Sequence, residues 1–356
     1  MDGMVKMDLS FFSGKKVFIT GHTGFKGSWM SRILMDSGAS LTGYALPPDT
    51  QPNIFTIAKI ADNMKSIMGD VRDLKKLSKA VKEASPDIVI HMAAQPLVRE
   101  SYKNPVYTYE TNVLGTVNIL EACRYAGSIR SIVNVTTDKV YENKELARGY
   151  REDEKLCGHD PYSNSKSCSE IVTHGYKYSF YNTADSPAVS TARSGNVIGG
   201  GDFSADRIIP DCVRAALTDK NVIIRNPKSV RPYQHVIDCI SGYLLLAEKQ
   251  YDKSISESYN FGPDENDIVE NEVLADIFCA VWGQGMKSEH KNDGGPREAN
   301  FLRLDTSKAK TVLGWKSSIN IKKAVELTVE WHKQYNSKNN AVKCMDGQIN
   351  SYFGKD

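Results

Sequence analysis

The stretch KKVFITGHTGFKGSW (15–29) decides the fold. An apolar, β-branched run, KKVFIT (15–20), leads straight into Gly21-x-x-Gly24-x-x-Gly27. SWMSRILMDSG (28–38) then takes up helical spacing and stops at Gly38. Strand, glycine turn and helix in this order make a phosphate cradle. Glycine admits positive φ and lets the backbone approach a pyrophosphate, and the helix points free N–H groups and its positive end at the anion. A glycine triplet can also be a bare tight turn, but its place in the first βα turn favours the cradle.

Outward from that turn, apolar runs alternate with amphipathic ones. SLTGYAL (40–46), KSIMGDV (65–71), DIVIHMAA (87–94) and SIVNVTT (131–137) read as strands. LKKLSKAVKEA (74–84) and a long segment opened by Pro105 (105–127) read as helices. Alternation of this kind predicts an α/β, Rossmann-type, doubly wound parallel sheet, and strands apolar along their whole length fit a sheet covered on both faces. Beyond residue 195 the rhythm loosens around Gly199, Gly200 and Gly201. Helices are expected near 207–218, 236–250, 270–281 and 321–336, with short strands at 221–226 and 257–262. The expected organisation is a dinucleotide-binding domain over 1–195, with segments near 230–255 returning to it. A smaller, interleaved α/β substrate domain would occupy most of 196–356. The polar stretch 338–348 is expected to be a mobile tail link.

The totals exclude several function classes. Of 356 residues, 40% are hydrophobic and 25% charged, with a net charge of +2 and no long run of one sign. That argues against nucleic acid or a membrane as partner. No apolar run approaches the ~20 residues of a membrane span. The first residues lack a signal-peptide pattern. Seven scattered cysteines without Cys-x-x-Cys, and seven scattered histidines without HExxH, suit reduced thiols in the cytoplasm and predict no metal site.

Two further constellations carry chemistry. In Tyr162-Ser163-Asn164-Ser165-Lys166 the tyrosine and lysine lie at i, i+4, one turn apart on one helix face. A lysine ammonium beside a phenol favours the phenolate and makes the tyrosine a general base; a surface tyrosine beside a solvated lysine would give the same spacing. The fifth strand ends in Thr136-Thr137-Asp138-Lys139, delivering a hydroxyl, a carboxylate and an amine where the chain emerges. Either this is a solvated turn or protons are moved there. Strand two supplies no acid before Asp49 and no arginine, which tilts the dinucleotide towards NAD over NADP. Asp70 could reach the adenosine or cap a helix.

Taken together, TGHTGFKG (20–27), TTDKVYEN (136–143), DPYSNSK (160–166), RSGNVIGGGD (193–202) and RNPKSVRPYQHV (225–236) resemble the extended short-chain dehydrogenase/reductase family, in its nucleotide-sugar dehydratase branch. The resemblance covers nearly the whole chain. It implies NAD as cofactor, CDP-glucose as the sugar nucleotide, and a homodimer or homotetramer built on helices 105–127 and 162–180. It implies Thr137, Tyr162 and Lys166 as hydroxyl, base and lysine. Gly21, Gly24, Phe25, Lys26, Gly27, Asp70, Val71, Ala93, Ala94 and Gln95 would line the dinucleotide, together with Tyr162 and Lys166. Asn196, Arg207, Arg231 and Arg297 would hold the sugar nucleotide, arginine being suited to phosphate by its bidentate donors. His235 reads as a core histidine.

The Asp-Lys pair then has a task. Oxidising a hexose at C4 makes the C5 hydrogen acidic, so a base can take it while an acid helps the C6 hydroxyl leave. Asp138 as acid and Lys139 as base fit, on two conditions: the lysine must be neutral, and the chain must turn so that both reach one sugar. A 4-epimerase or reductase would need Tyr162 without the pair, and a dinucleotide sensor would need neither.

Overall fold

The computed structural model describes residues 7–291, 301–338 and 340–354. Its core is a seven-stranded parallel sheet of Lys16–Thr20 (β1), Ser40–Ala45 (β2), Lys65–Met68 (β3), Ile88–His91 (β4), Ser131–Val135 (β5), Ala188–Ser194 (β6) and Ser258–Phe261 (β7). The spatial order is β7-β6-β5-β4-β1-β2-β3. Direction reverses between β1 and β4, the switch point where the carboxyl ends of such sheets open a crevice for ligands. Strands β4, β5 and β6 are buried along their full length, as the continuous apolar runs require.

The crevice is pinned by the strand ends themselves. Thr20 Oγ1 sits 2.7 Å from His91 Nδ1 and accepts from the amides of Met92 and Ala93 at 3.1 Å. Gly21 follows at φ +79°, and a Cβ there would stand 2.8 Å from the Ala93 amide nitrogen. A Cβ on Gly27 would lie 2.0 Å from the Gly21 carbonyl, so glycine is required for the turn to fold back on its helix. That helix, Phe25–Asp36 (α1), starts at Gly24 with no side-chain cap, leaving its first N–H groups open.

Two helical stretches differ from expectation. The segment opened by Pro105 runs as Pro105–Tyr109, a π-type turn Glu110–Leu114, and Gly115–Arg124. The extra residue at the π turn coincides with Gly115, whose missing Cβ admits Val71. The tail 338–348 is not a loose link. Asn340 caps a helix, Ala341–Phe353, whose Ala341, Met345 and Ile349 are buried. Its apolar stripe at i, i+4, i+8 is masked in sequence by polar neighbours. Tyr352 donates to Asp238 Oδ1 at 2.7 Å, fastening this helix to Val236–Lys249, which lies behind β5.

Three short ladders bring distant loops to the same end of the sheet. Val197–Ile198 pairs with Gln234–His235, Val230–Arg231 with Val269–Glu270, and Val222–Ile224 with Ser288–His290. They set Asn196, Arg231 and Arg225 around one opening.

Candidate active site

The opening is a cavity of about 260 Å³ at the carboxyl ends of β1, β5 and β6. Phe25, Lys26, Thr137, Lys139 and Tyr162 line it together with Asn196, Arg207, Arg225 and Arg231.

The chain does turn after β5. Thr137 caps a short 3-10 turn, Asp138–Val140, so the strand's in-out alternation ends there. Lys139 Nζ then reaches Asp138 Oδ1 and Asn196 Oδ1, both at 3.2 Å. The Thr137 hydroxyl donates to Asp138 Oδ1 at 3.0 Å and also meets the Tyr162 phenol. Thr137, Asp138 and Lys139 are thus joined by one run of hydrogen bonds, with the Tyr162 phenol beside Thr137. Asp138 is wholly buried, with Oδ2 lacking a hydrogen-bond partner among the described residues, whereas the Lys139 side chain is about a quarter exposed. The lysine faces the cavity and the carboxylate stands behind it.

Tyr162 and Lys166 share the inner face of Pro161–Phe180 (α2). Asp160 caps this helix by accepting from the Ser163 amide at 2.9 Å, and Pro161 occupies the first turn. Tyr162 therefore sits at the positive end of the helix, which favours a developing phenolate. Within the protein alone the balance goes the other way. Burial raises the phenol above its usual value, while Lys139 and Thr137 pull it down. Burial and the charge of Lys26 bring Lys166 down to about 7; its amine donates to the Val135 carbonyl at 3.2 Å.

One turn further along α2, Glu170 takes Arg193 through both oxygens, at 3.0 and 2.9 Å, and also accepts from Thr136 and Thr191. Both partners are almost fully buried. Arg193 continues to the Tyr141 hydroxyl at 2.8 Å. This brace ties β5, β6 and α2 together directly beneath the Thr-Thr-Asp-Lys turn. DPYSNSK drew attention to residues 162 and 166; the same periodicity, extended one turn, finds Glu170.

Other expected site residues divide. Gly21, Gly24 and Gly27 form the turn, and Phe25 joins the cavity wall. The side chain of Lys26 leaves the glycine turn and meets the Tyr243 hydroxyl at 3.3 Å. Asp70 is held by Arg72, down to 2.7 Å, and Arg72 also takes Glu110 at 2.8 Å. Asp73, not Asp70, caps the next helix, Leu74–Ala84. Val71 is buried beneath Gly115, and Ala93 and Ala94 border the crevice after β4. The Gln95 side chain is spent within the protein: its amide donates to Leu97 O and Thr108 Oγ1, and its oxygen accepts from the Leu97 amide. Arg207 donates to Asp202 Oδ2 at 3.1 Å. Arg231 is buried and its Nη1 donates to the Val230 carbonyl at 3.0 Å. Arg297 lies outside the described residues. His235 is fully buried against Trp29, and burial lowers it to about 3.

Sequence reading passed over Arg225, whose guanidinium takes Asp206 at 2.6 Å and Asp211 at 2.9 Å on the cavity wall. Asp206 adopts φ +58°, a strained setting typical of functional loops. The cluster joins residues far apart in sequence, and no local spacing announces it.

The GDP-mannose 4,6 dehydratase family model matches residues 18–328. The chain belongs to that family. Within reach of it, CDP-glucose 4,6-dehydratase of Salmonella typhimurium is 44% identical over 353 residues, covering 98% of each chain. The dTDP-glucose 4,6-dehydratase of Xanthomonas campestris is 28% identical over 304 residues, 79% of this chain and 82% of that protein. Among solved structures, dTDP-glucose 4,6-dehydratase from Bacillus anthracis in complex with NAD superposes with a TM-score of 0.77 at 22% identity, over 92% of this chain and 99% of that one. UDP-glucose-4-epimerase from Stenotrophomonas maltophila superposes at 0.79 with 21% identity, over 91% and 99%. These structures share the doubly wound fold.

Proposed function

We propose that the protein is an NAD-dependent CDP-glucose 4,6-dehydratase, forming CDP-4-keto-6-deoxyglucose. The observation that carries this reading is the Lys139 amine in the Tyr162 cavity, backed at 3.2 Å by the Asp138 carboxylate. An epimerising or simply redox site needs Tyr162 but has no use for a second proton-handling pair beside it.

The first turn of the fold suits NAD. Gly21 and Gly27 cannot carry a side chain without collision, and α1 begins with uncapped N–H groups. Gly21, Gly24, Phe25 and Gly27 would hold the pyrophosphate, with Ala93, Ala94, Tyr162 and Lys166 along the crevice. Held there, NAD would supply hydride chemistry between C4 and C6 of the sugar. The chain's own residues do the rest. Tyr162 takes the C4 hydroxyl proton, helped by the helix end and Thr137. Lys139, neutral when it acts, takes the C5 proton. The C6 hydroxyl leaves as water with the proton taken from C5, passed through the Asp138–Lys139 pair across its 3.2 Å contact; once C6 has received hydride, C5 takes up a proton in turn, balancing the one Tyr162 removed from the C4 hydroxyl. Asn196 orients the amine, and Arg207 and Arg231 hold the diphosphate.

The exposed Tyr102, Val106, Leu114, Ile171 and Tyr178, on the helices flanking the sheet near the site, suit a homodimer. No described helix is long and apolar enough to cross a membrane, and the reading places the enzyme in the cytoplasm.

Incubation with NAD and CDP-, dTDP-, GDP- or UDP-glucose, followed by proton NMR, tests the proposal. A C6 methyl doublet with no net change in NADH, strongest with CDP-glucose, is expected. Inverted C4 with an intact C6 hydroxymethyl would overturn it.

A further inference from the structure

Lys26 was expected to serve the dinucleotide as part of the glycine turn. Its side chain goes elsewhere. Nζ lies 3.3 Å from the Tyr243 hydroxyl, which is hydrogen-bonded to Ser194 Oγ at 2.5 Å. Ser194, Thr137, Tyr162 and Lys139 line the same cavity as Lys26. Lys26 forms no ion pair among the described residues, and neither does Lys166. Taking an amine from water without a carboxylate is costly, and burial lowers the Lys26 amine below the usual lysine value.

We propose that Lys26, anchored on Tyr243 within the cavity, is a positioning residue of the reaction centre whose amine sets the pH at which the Lys166 proton equilibrium operates. This rests on the dehydratase reading and deepens it, because Lys166 is the partner of Tyr162 in that reading. The groups facing the centre come from every element around it. Lys26 enters from α1, Asp138 and Lys139 from the turn after β5, and Tyr162, Lys166 and Glu170 from α2. Arg207 comes from the following loop, His91 from β4, and Cys239 and Tyr243 from Val236–Lys249. Three carboxylates stand among or against these: Glu170 is matched by Arg193, Asp202 by Arg207, and Asp138 by Lys139. Lys26 and Lys166 are the amines of the centre left without a carboxylate among the described residues.

The test compares wild type, Lys26→Met and Lys26→Arg in pH profiles of kcat/KM for methyl formation. Removing a positive charge makes neighbouring bases easier to protonate. Lys26→Met should move the acid limb up by roughly one pH unit and recover activity at high pH, while Lys26→Arg keeps the wild-type limb. Tm measured against pH reads the same coupling without turnover: the stability rise that accompanies Lys166 deprotonation should begin at higher pH in Lys26→Met. Loss of activity in both variants with an unmoved limb and an unmoved Tm profile would make Lys26 a packing residue. Weaker NAD binding with both profiles unmoved would make it a cofactor clamp. Either result overturns the proposal. Absence of methyl product in wild type would instead remove the dehydratase reading, with the Tm profile still deciding the coupling.

Discussion

Lys139 Nζ stands 3.2 Å from Asp138 Oδ1, yet the lysine faces the cavity and the carboxylate is sealed behind it. The two are not equivalent partners at the sugar. In the proposed reaction the amine would meet the substrate, and the carboxylate would work through the amine and the Thr137 hydroxyl.

Replacing Lys139 with Met should therefore separate the half-reactions. Tyr162 remains, so C4 oxidation should persist, while methyl formation falls by roughly 10²–10⁴-fold, the usual scale for losing a general base. Hydride transfer followed at 340 nm under single turnover, beside NMR of the product, checks this. Wild-type methyl formation would remove the role given to Lys139.

Asp138→Asn keeps the shape but removes the charge next to the amine. The expected result is a kcat lower by roughly 10²-fold, with little change in KM for the sugar nucleotide, since Asp138 does not face the cavity. A rise in KM at constant kcat would show instead that the carboxylate binds substrate.

Lys166 makes stability depend on pH. Its folded value, about 7, lies below the 10.5 of an exposed lysine, so the unfolded chain binds more protons between those limits. Stability should climb as pH rises from about 7 towards 10.5, and the group's penalty is greatest below 7. Lys166→Met should flatten that part of the Tm-versus-pH curve. An unchanged slope would contradict the assignment.

The Glu170–Arg193 brace invites a double-mutant cycle. Breaking one partner strands a buried charge and should cost about 3–5 kcal/mol in either Glu170→Gln or Arg193→Met. The double variant should recover part of that loss, because no lone charge remains. Burial raises Glu170, but Arg193 outweighs it and holds the carboxyl low, so this contribution is present at neutral pH and fades as pH falls below the unfolded value. Denaturant unfolding at pH 7 and pH 4 measures both effects. Additive losses would mean that the two residues act separately.

Asp202 holds Arg207 at the cavity wall, so Asp202→Asn should raise KM for the sugar nucleotide by about tenfold while leaving kcat near wild type. Initial-rate kinetics decide; a fall in kcat at constant KM would place Asp202 in the chemical step.

The parts of this molecule that follow from short-range pattern were legible in its sequence. Val17, Phe18 and Ile19 before Gly21 announce the first βα turn, and Asp160-Pro161 announces the helix that carries Tyr162 and Lys166. The Asp138–Lys139 turn was legible as a question, since alternation along a strand leaves open whether two successive side chains meet one ligand. What stayed hidden was set by contacts across the fold. Arg225 becomes a wall residue through Asp206 and Asp211, fourteen or more positions away. Lys26 turns from the glycine loop because Tyr243, 217 residues on, receives it. Gln95 looked available for a ligand until Thr108 and Leu97 took its amide. The final helix was obscured because Lys343, Asp346 and Gln348 break up its apolar stripe to the eye without interrupting it in space.

That final helix has a practical consequence. Tyr352 grips Asp238, and Asp238 lies just over one turn from Tyr243 on the same rod. Shortened versions of the polypeptide that lack residues 341–353 would thus slacken the scaffold behind Lys26. They should lose turnover before they lose the parallel sheet, and a design that anchors the protein to a support is better attached elsewhere.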